Sequence, residues 1–276
     1  MRTELISIPT DGVPLDGLWY DPAKDAGGTA ARGAVQLFHG NTMNFYSGAP
    51  RFLPPVLVPM GYACLAYNRR GHDILGIRDS RAAHGAAFQT IAESVADNVF
   101  ARAFIAERGY PSPIVIGHSN GGMLSVRHVA DHPDTPALVL LSAHKGGRNL
   151  VPDISKAGLL AQDRFVEITE QARALLAAGR GREIMALPGW WYAASAESWL
   201  DLCANMPDIM KLAPRIKCPV LYLRGDQEPA DIYPMEAFAE ACAGPCDTVL
   251  VPDCDHFYRG REDTVAAIVA DWLKGL

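Results

Sequence analysis

Short apolar runs alternate along the chain with longer stretches whose apolar positions recur every three or four residues. That alternation predicts strands interleaved with helices, and so a mostly parallel sheet covered by helices. Two early strands are predicted near residues 5–8 and 13–20, joined by a turn at Asp11-Gly12. Buried-type runs at 34–38 and 63–67 end at His39-Gly40-Asn41 and Asn68-Arg69-Arg70-Gly71-His72. Phe88, Ile91, Val95 and Val99 share one helical stripe, stopped by Gly109. A β-branched run at 113–116 leads into Gly117-His118-Ser119-Asn120-Gly121, a helix follows to about residue 130, and residues 137–141 make a further strand.

After Ala143 the rhythm breaks. Between 145 and 214 no strand is predicted; Phe165, Ile168, Ala172, Leu175 and Leu176 mark an amphipathic helix, and Trp199, Leu200 and Cys203 another helical turn. Alternation resumes with a strand at 219–223, a helix at 234–242, a strand at 248–251 and a last helix marked by Val265, Ile268, Val269 and Trp272. The organisation expected is an α/β core of residues 1–144 and 215–276 carrying a helical cap insertion of residues 145–214.

Composition narrows the class rather than the function. The 276 residues carry a net charge of −6 and 49% hydrophobic residues, which suits one large α/β domain with a real core. An acidic balance gives no reason to expect nucleic acid or an anionic membrane surface as partner. The start of the chain has no secretory apolar segment, and no apolar run approaches the ~20 residues of a membrane helix. The expectation is a soluble, cytoplasmic protein whose six cysteines are free thiols, because no secretion signal is seen; with no C-x-x-C pair, no metal site is suggested.

The chemistry concentrates at Ser119. A nucleophilic serine must project from a tight strand-to-helix turn, and glycines two positions to either side leave room for the backbones that cross there. Gly117 and Gly121 stand at those positions, with an apolar strand before and a helix after. A serine hydroxyl also needs a base. His256, in Asp253-Cys254-Asp255-His256-Phe257, follows the last predicted strand and is the candidate.

These pieces resemble the α/β-hydrolase superfamily over essentially the whole chain: His39-Gly40-Asn41 after the third strand, the Arg70-Gly71-His72 turn after the fourth, the Gly-x-Ser-x-Gly elbow after the fifth, a carboxylate turn after the seventh and the terminal histidine loop. The resemblance implies the α/β-hydrolase fold, an eight-stranded and mostly parallel sheet. It also implies the order nucleophile, acid, histidine, which puts the acid in Gly225-Asp226-Gln227-Glu228-Pro229. The Gly-x-x-acid register selects Glu228, with Asp226 as the alternative. Some members carry the acid at the end of the sixth strand, where this chain reads Ser142-Ala143-His144. The oxyanion hole is expected at the backbone N–H groups of Asn120, opening the helix, and Asn41, by resemblance. Asn44 and Tyr46 either line the site or pack as a polar loop, and Asp255 caps its own loop.

For the substrate pocket the candidates are Trp190 and Trp191, which either wall the pocket or anchor the cap, together with Met123 and Phe257; Tyr258 also neighbours the catalytic positions. The reading is a carboxylic-ester hydrolase acting on a small-molecule substrate through an acyl-enzyme, with no cofactor required. The same residues serve an amidase, thioesterase or carbon–carbon hydrolase. The alternative class is a ligand-binding protein with a vestigial site.

Overall fold

The computed structural model describes residues 2–22, 31–190 and 192–276. Its strands are β1 (Thr3–Ile8), β2 (Leu15–Tyr20), β3 (Gly33–Phe38), β4 (Tyr62–Tyr67), β5 (Ile114–His118), β6 (Leu138–Leu141), β7 (Ile184–Leu187), β8 (Tyr192–Ser195), β9 (Val220–Gly225) and β10 (Cys246–Val251). The helices before the long insertion are α1 (Ala49–Phe52), α2 (Pro54–Leu57), α3 (Ile91–Glu107) and α4 (Asn120–Asp131). Those within and after it are α5 (Leu150–Lys156), α6 (Phe165–Ala177), α7 (Ala196–Asn205), α8 (Ile209–Leu212), α9 (Met235–Ala241) and α10 (Glu262–Lys274).

Eight strands form one sheet in the order β1-β2-β4-β3-β5-β6-β9-β10. Only β2 runs against its neighbours β1 and β4; every other pairing is parallel. Successive side chains of a strand point to opposite faces, and both faces here are buried. Val115, Leu138 and Leu140 therefore join a cluster under α3, α4 and α9. Ile114, Ile116, Val139 and Leu141 join a second cluster under α1, α2 and α10. All the parallel strands end at the same edge, where the loops carrying Asn41, Ser119, Ser142, Glu228 and His256 converge.

Two expectations change. The stretch between β6 and β9 is not purely helical: β7 and β8 form an antiparallel hairpin, pairing Ile184 with Ser195 and Leu187 with Tyr192. Each strand is only four residues long and rich in alanine, too short and too weakly β-forming to show as a periodic signal. The helix α3 begins at Ile91, after a capping box of Thr90 and Glu93, so Phe88 lies outside it. Val99 is 42% exposed, whereas Ser94, Asp97 and Asn98 are buried. Asp97 accepts hydrogen bonds from the Arg70 backbone N–H and Nε (2.7 Å each), and Asn98 Oδ1 accepts one from the Tyr67 hydroxyl at 2.6 Å. A polar helix face is buried here because strand-end groups meet it. Burial pushes the Asp97 carboxyl up to about 6 against the pull of Arg70.

The insertion is tied down beside α3. The Tyr192 hydroxyl donates to the Ala86 carbonyl at 3.0 Å, the Ser195 N–H to Ala87 at 2.6 Å, and the Ser198 hydroxyl to Gln89 at 2.8 Å. Asp201 accepts from the Ile91 N–H at 2.6 Å.

Candidate active site

Ser119 lies between the last residue of β5 and the first of α4, with φ 56° and ψ −119°. Such a backbone costs on the order of 1–3 kcal/mol in a non-glycine residue and persists only where its surroundings enforce it. They do so by close packing. A Cβ on Gly117 would stand 2.0 Å from Ser125 Oγ and 2.4 Å from the Gly121 carbonyl oxygen, and one on Gly121 would stand 2.4 Å from the carbonyl oxygens of Phe38 and His39. The turn closes only with glycine at both places.

The strained turn aims Ser119 Oγ at His256 Nε2, 2.9 Å away, and His256 Nδ1 lies 2.6 Å from Glu228 Oε1. A carboxylate only accepts, so the proton of a neutral His256 belongs on Nδ1 and Nε2 accepts from the serine hydroxyl. Glu228 is 7% exposed. Its second oxygen, Oε2, accepts the Gly225 N–H at 2.8 Å and the Ser142 hydroxyl at 2.5 Å. Asp226, the alternative acid, faces away: its carboxylate takes the N–H groups of Asp253 (2.9 Å) and Cys254 (3.0 Å), which hold it below the usual carboxylate range. It staples the histidine loop to the turn after β9. Asp255 caps its own loop through the N–H groups of Phe257 and Arg259.

The His256 ring is enclosed by aromatic groups. His118 and Tyr233 lie 5.0 Å from it, and Phe257 meets it edge-on at 5.2 Å. His118 donates its Nε2–H to the His256 carbonyl at 2.8 Å, fixing the backbone of the loop. Burial, reinforced by His256 itself, depresses both His118 and His144 to about 3. Both stay neutral, so no fixed positive charge beside His256 opposes its protonation.

Asn41 and Asn120 border one cavity. Asn120 is the first residue of α4, so its N–H has no acceptor within the helix. A Cβ on Gly40, next to Asn41, would lie 3.4 Å from Ser119 Cβ. The two asparagines share a cavity of about 30 Å³ with Gln89, Ser94 and Tyr192. Tyr192, from β8 of the insertion, borders the same cavity as Asn41. His39 is held well below its ordinary value by burial and by Arg69, whose Nη2 donates to the His39 carbonyl at 2.6 Å. The Arg69-Arg70 turn thus supports the loop that carries Asn41.

The expected pocket residues separate. Met123 is fully buried and packs beneath Gly146, so it presents no surface to a substrate. Tyr258 is buried too, its hydroxyl 2.6 Å from Ser142 Oγ. Trp190, 52% exposed, precedes β8 in the turn of the hairpin, and Trp191 lies outside the described residues. Asn44 packs as a polar loop residue, donating to Asp73 at 3.0 Å, and Tyr46 is exposed. Among the described residues of the expected set, Phe257 alone lines an open groove of about 800 Å³, with Phe52, Pro55 and Val56. Met43 stands between that groove and Gly40: it lines the groove, and its sulfur lies 2.7 Å from where a Gly40 Cβ would stand. Met43, Tyr192 and the Ser142–Tyr258 pair were not marked by any local pattern. The one available signal was a serine at the end of β6, where some family members carry the acid. All six cysteines are free, and no group of three or more metal-ligating side chains converges among the described residues.

The family model described as the alpha/beta hydrolase family matches residues 37–268. Among curated proteins there is no match. Among solved structures the chain is similar to Est1E from Butyrivibrio proteoclasticus, with a TM-score of 0.70 and 18% identity over 98% of both chains. It is similar also to the alpha/beta hydrolase GrgF from Penicillium sp. sh18, with a TM-score of 0.73 and 13% identity over 99% of this chain and 98% of that one. A soluble variant of monoglyceride lipase from Saccharomyces cerevisiae gives a TM-score of 0.65 and 15% identity over 99% and 95%. At such identities the likeness is one of fold. The family match spans most of the chain, from the end of β3 into α10, and takes in Ser119, Glu228 and His256: the chain belongs to the alpha/beta hydrolase family.

Proposed function

We propose that this protein is a cytoplasmic serine hydrolase that cleaves carboxylic esters of small or medium organic molecules through an acyl-enzyme. The observation that carries the reading is the hydrogen-bonded chain from Ser119 Oγ through His256 to Glu228, set in a strained turn that opens directly into the N-terminus of α4 at Asn120. In the first half-reaction Ser119 Oγ attacks the ester carbonyl carbon and His256 Nε2 takes its proton. Glu228 keeps the ring in the tautomer that accepts and stabilises the imidazolium. The carbonyl oxygen becomes an oxyanion between the N–H groups of Asn120 and Asn41. A donor of this type is worth about 10²–10³-fold in kcat. His256 then returns the proton to the leaving alcohol. Water repeats the sequence on the acyl-enzyme, and no cofactor enters.

The groove of about 800 Å³ is of a size to take an apolar acyl or alcohol group. Its apolar side, Met43, Phe52, Val56 and Phe257, offers a surface to aryl and alkyl groups, and Arg51, Arg259, Glu262 and Asp263 make its polar side. Est1E, a fold relative, is known with ferulic acid bound, which makes aryl esters a sensible first panel. The test is a panel of esters, thioesters and amides with a fluorophosphonate probe. Wild type is expected to turn over esters fastest and to be labelled at Ser119, and Ser119→Ala to lose both by orders of magnitude. Labelling of another serine with activity retained in Ser119→Ala overturns the reading, and tight binding without turnover marks a ligand-binding protein instead.

A further inference from the structure

We propose that Ser142 and Tyr258 are positioning residues that act in series on Glu228, fixing the carboxylate that in turn orients His256. The inference rests on the proposed Ser119–His256–Glu228 chemistry and adds to it a support that no local sequence pattern announces.

Ser142, Tyr258 and Glu228 meet in a space without solvent; Ser142 and Tyr258 are 0% and 1% exposed. Ser142 Oγ lies 2.5 Å from Glu228 Oε2 and 2.6 Å from the Tyr258 hydroxyl. Proton accounting sets the direction. The carboxylate can only accept, so the single Ser142 proton goes to Glu228, and the Tyr258 hydroxyl must donate to Ser142 Oγ. The other acceptor near Tyr258, the Leu223 carbonyl, is 3.3 Å away. Glu228 is then gripped at both oxygens: Oε2 by Ser142 and the Gly225 N–H, Oε1 by His256.

Ordinary strand pairing does not account for Ser142. Its backbone N–H donates to Leu223 at 2.8 Å whatever the side chain. Its φ is 47°, a region where glycine would be unstrained. A serine in that conformation has its hydroxyl committed to Glu228 and Tyr258 alone. The family position that elsewhere holds the acid here holds the acid's clamp.

The test is a kcat and pH-rate series on one good aryl ester. The groups facing His256 are Glu228, His118, His144, Tyr233 and the neighbouring Asp255; those facing Glu228 are also Tyr222, Tyr258 and Cys254. His118 and His144 are pushed down and the tyrosines and Cys254 pushed up, all by burial, so none of these changes charge near neutral pH. The acid limb of kcat/KM is the readout for the general base, which must be unprotonated to act. Ser142→Ala removes one charge-assisted hydrogen bond from Glu228 and is expected to lower kcat roughly tenfold with little change in KM. A carboxylate with one donor fewer is more basic and holds the imidazolium more tightly, so the limb should move to higher pH. Ser142→Gly, free of backbone strain, should behave alike. Tyr258→Phe should lose less, and the double variant Ser142→Ala/Tyr258→Phe should be no worse than Ser142→Ala, as expected of groups in series. Folded Ser142 variants with wild-type kcat, or a loss of kcat with an unmoved acid limb, would overturn the proposal. Ser119→Ala and Glu228→Gln run alongside: were they active, the underlying triad reading would fail instead.

Discussion

Replacing Glu228 by glutamine tests the acid with almost no change in volume. The carboxylate accepts at both ends: from His256 Nδ1 at 2.6 Å on Oε1, and from the Gly225 N–H and the Ser142 hydroxyl on Oε2. A glutamine amide has one accepting oxygen and one donating nitrogen. Two fixed donors on the Oε2 side claim the oxygen, so the NH₂ group turns toward His256 Nδ1. That donor-to-donor clash is relieved by moving the ring proton to Nε2, which then faces Ser119 Oγ with no lone pair to receive its proton. In a serine protease the equivalent aspartate-to-asparagine change costs about 10⁴ in kcat for this same reason. Four decades amount to about 5.4 kcal/mol in the barrier, with substrate binding little affected. Asp226→Asn removes charge from an exposed loop staple and is expected to stay within a few-fold of wild type. Steady-state kinetics on an aryl ester, with circular dichroism to verify folding, compares the two. A folded Glu228→Gln enzyme within threefold of wild type, or a dead Asp226→Asn, would refute the tautomer argument.

Four further outcomes are expected. Gly117→Ala forces a methyl to 2.0 Å from Ser125 Oγ and 2.4 Å from the Gly121 carbonyl, so it should abolish fluorophosphonate labelling or prevent folding; normal labelling in a stable variant would contradict the packing account of the elbow. Val56→Trp, on the groove wall, should raise KM for long acyl esters while sparing acetates. Trp190→Ala, half exposed, should leave both stability and chain-length preference within about 0.5 kcal/mol. Stability should fall with acid: His118, His128 and His144 sit at about 3 in the fold, depressed by burial, against 6.5 when unfolded. Their contribution is complete above about pH 6.5 and is lost as the pH drops toward 3. Asp97, raised to about 6 from 3.8, runs the opposite way. His39, also held well below its ordinary value by burial, adds to these three, so the buried histidines outweigh Asp97 and unfolding takes up protons between pH 6 and 4, which makes stability rise with pH there. Urea melts across that range measure it; flat stability would refute the neutral-histidine picture, and His128→Leu should reduce the slope.

What can be read from the chain alone is what local geometry dictates. A parallel strand buried on both faces needs a continuous apolar run, which made β3, β4, β5, β6 and β9 visible. The elbow at Ser119 is a turn within five residues, and its glycines are required by steric contact, so it shows as a motif. His256 is placed by element order. The choice between Glu228 and Asp226 needed the tertiary structure, because two residues of separation on one turn point the carboxylates to different neighbours: Ser142 and His256 for one, the Asp253–Cys254 backbone for the other. The same holds where apolar character misled. Met123 lies four residues after Ser119 yet points into the core, and the predicted stripe leaves the buried face of α3 at Val99, since Arg70 and Tyr67 bring hydrogen-bonding groups to Asp97 and Asn98 instead. Periodicity records how apolar side chains are distributed along one segment. The direction a side chain takes, and the partner that satisfies it, depend on segments tens to more than a hundred residues away, which meet only when the sheet is assembled.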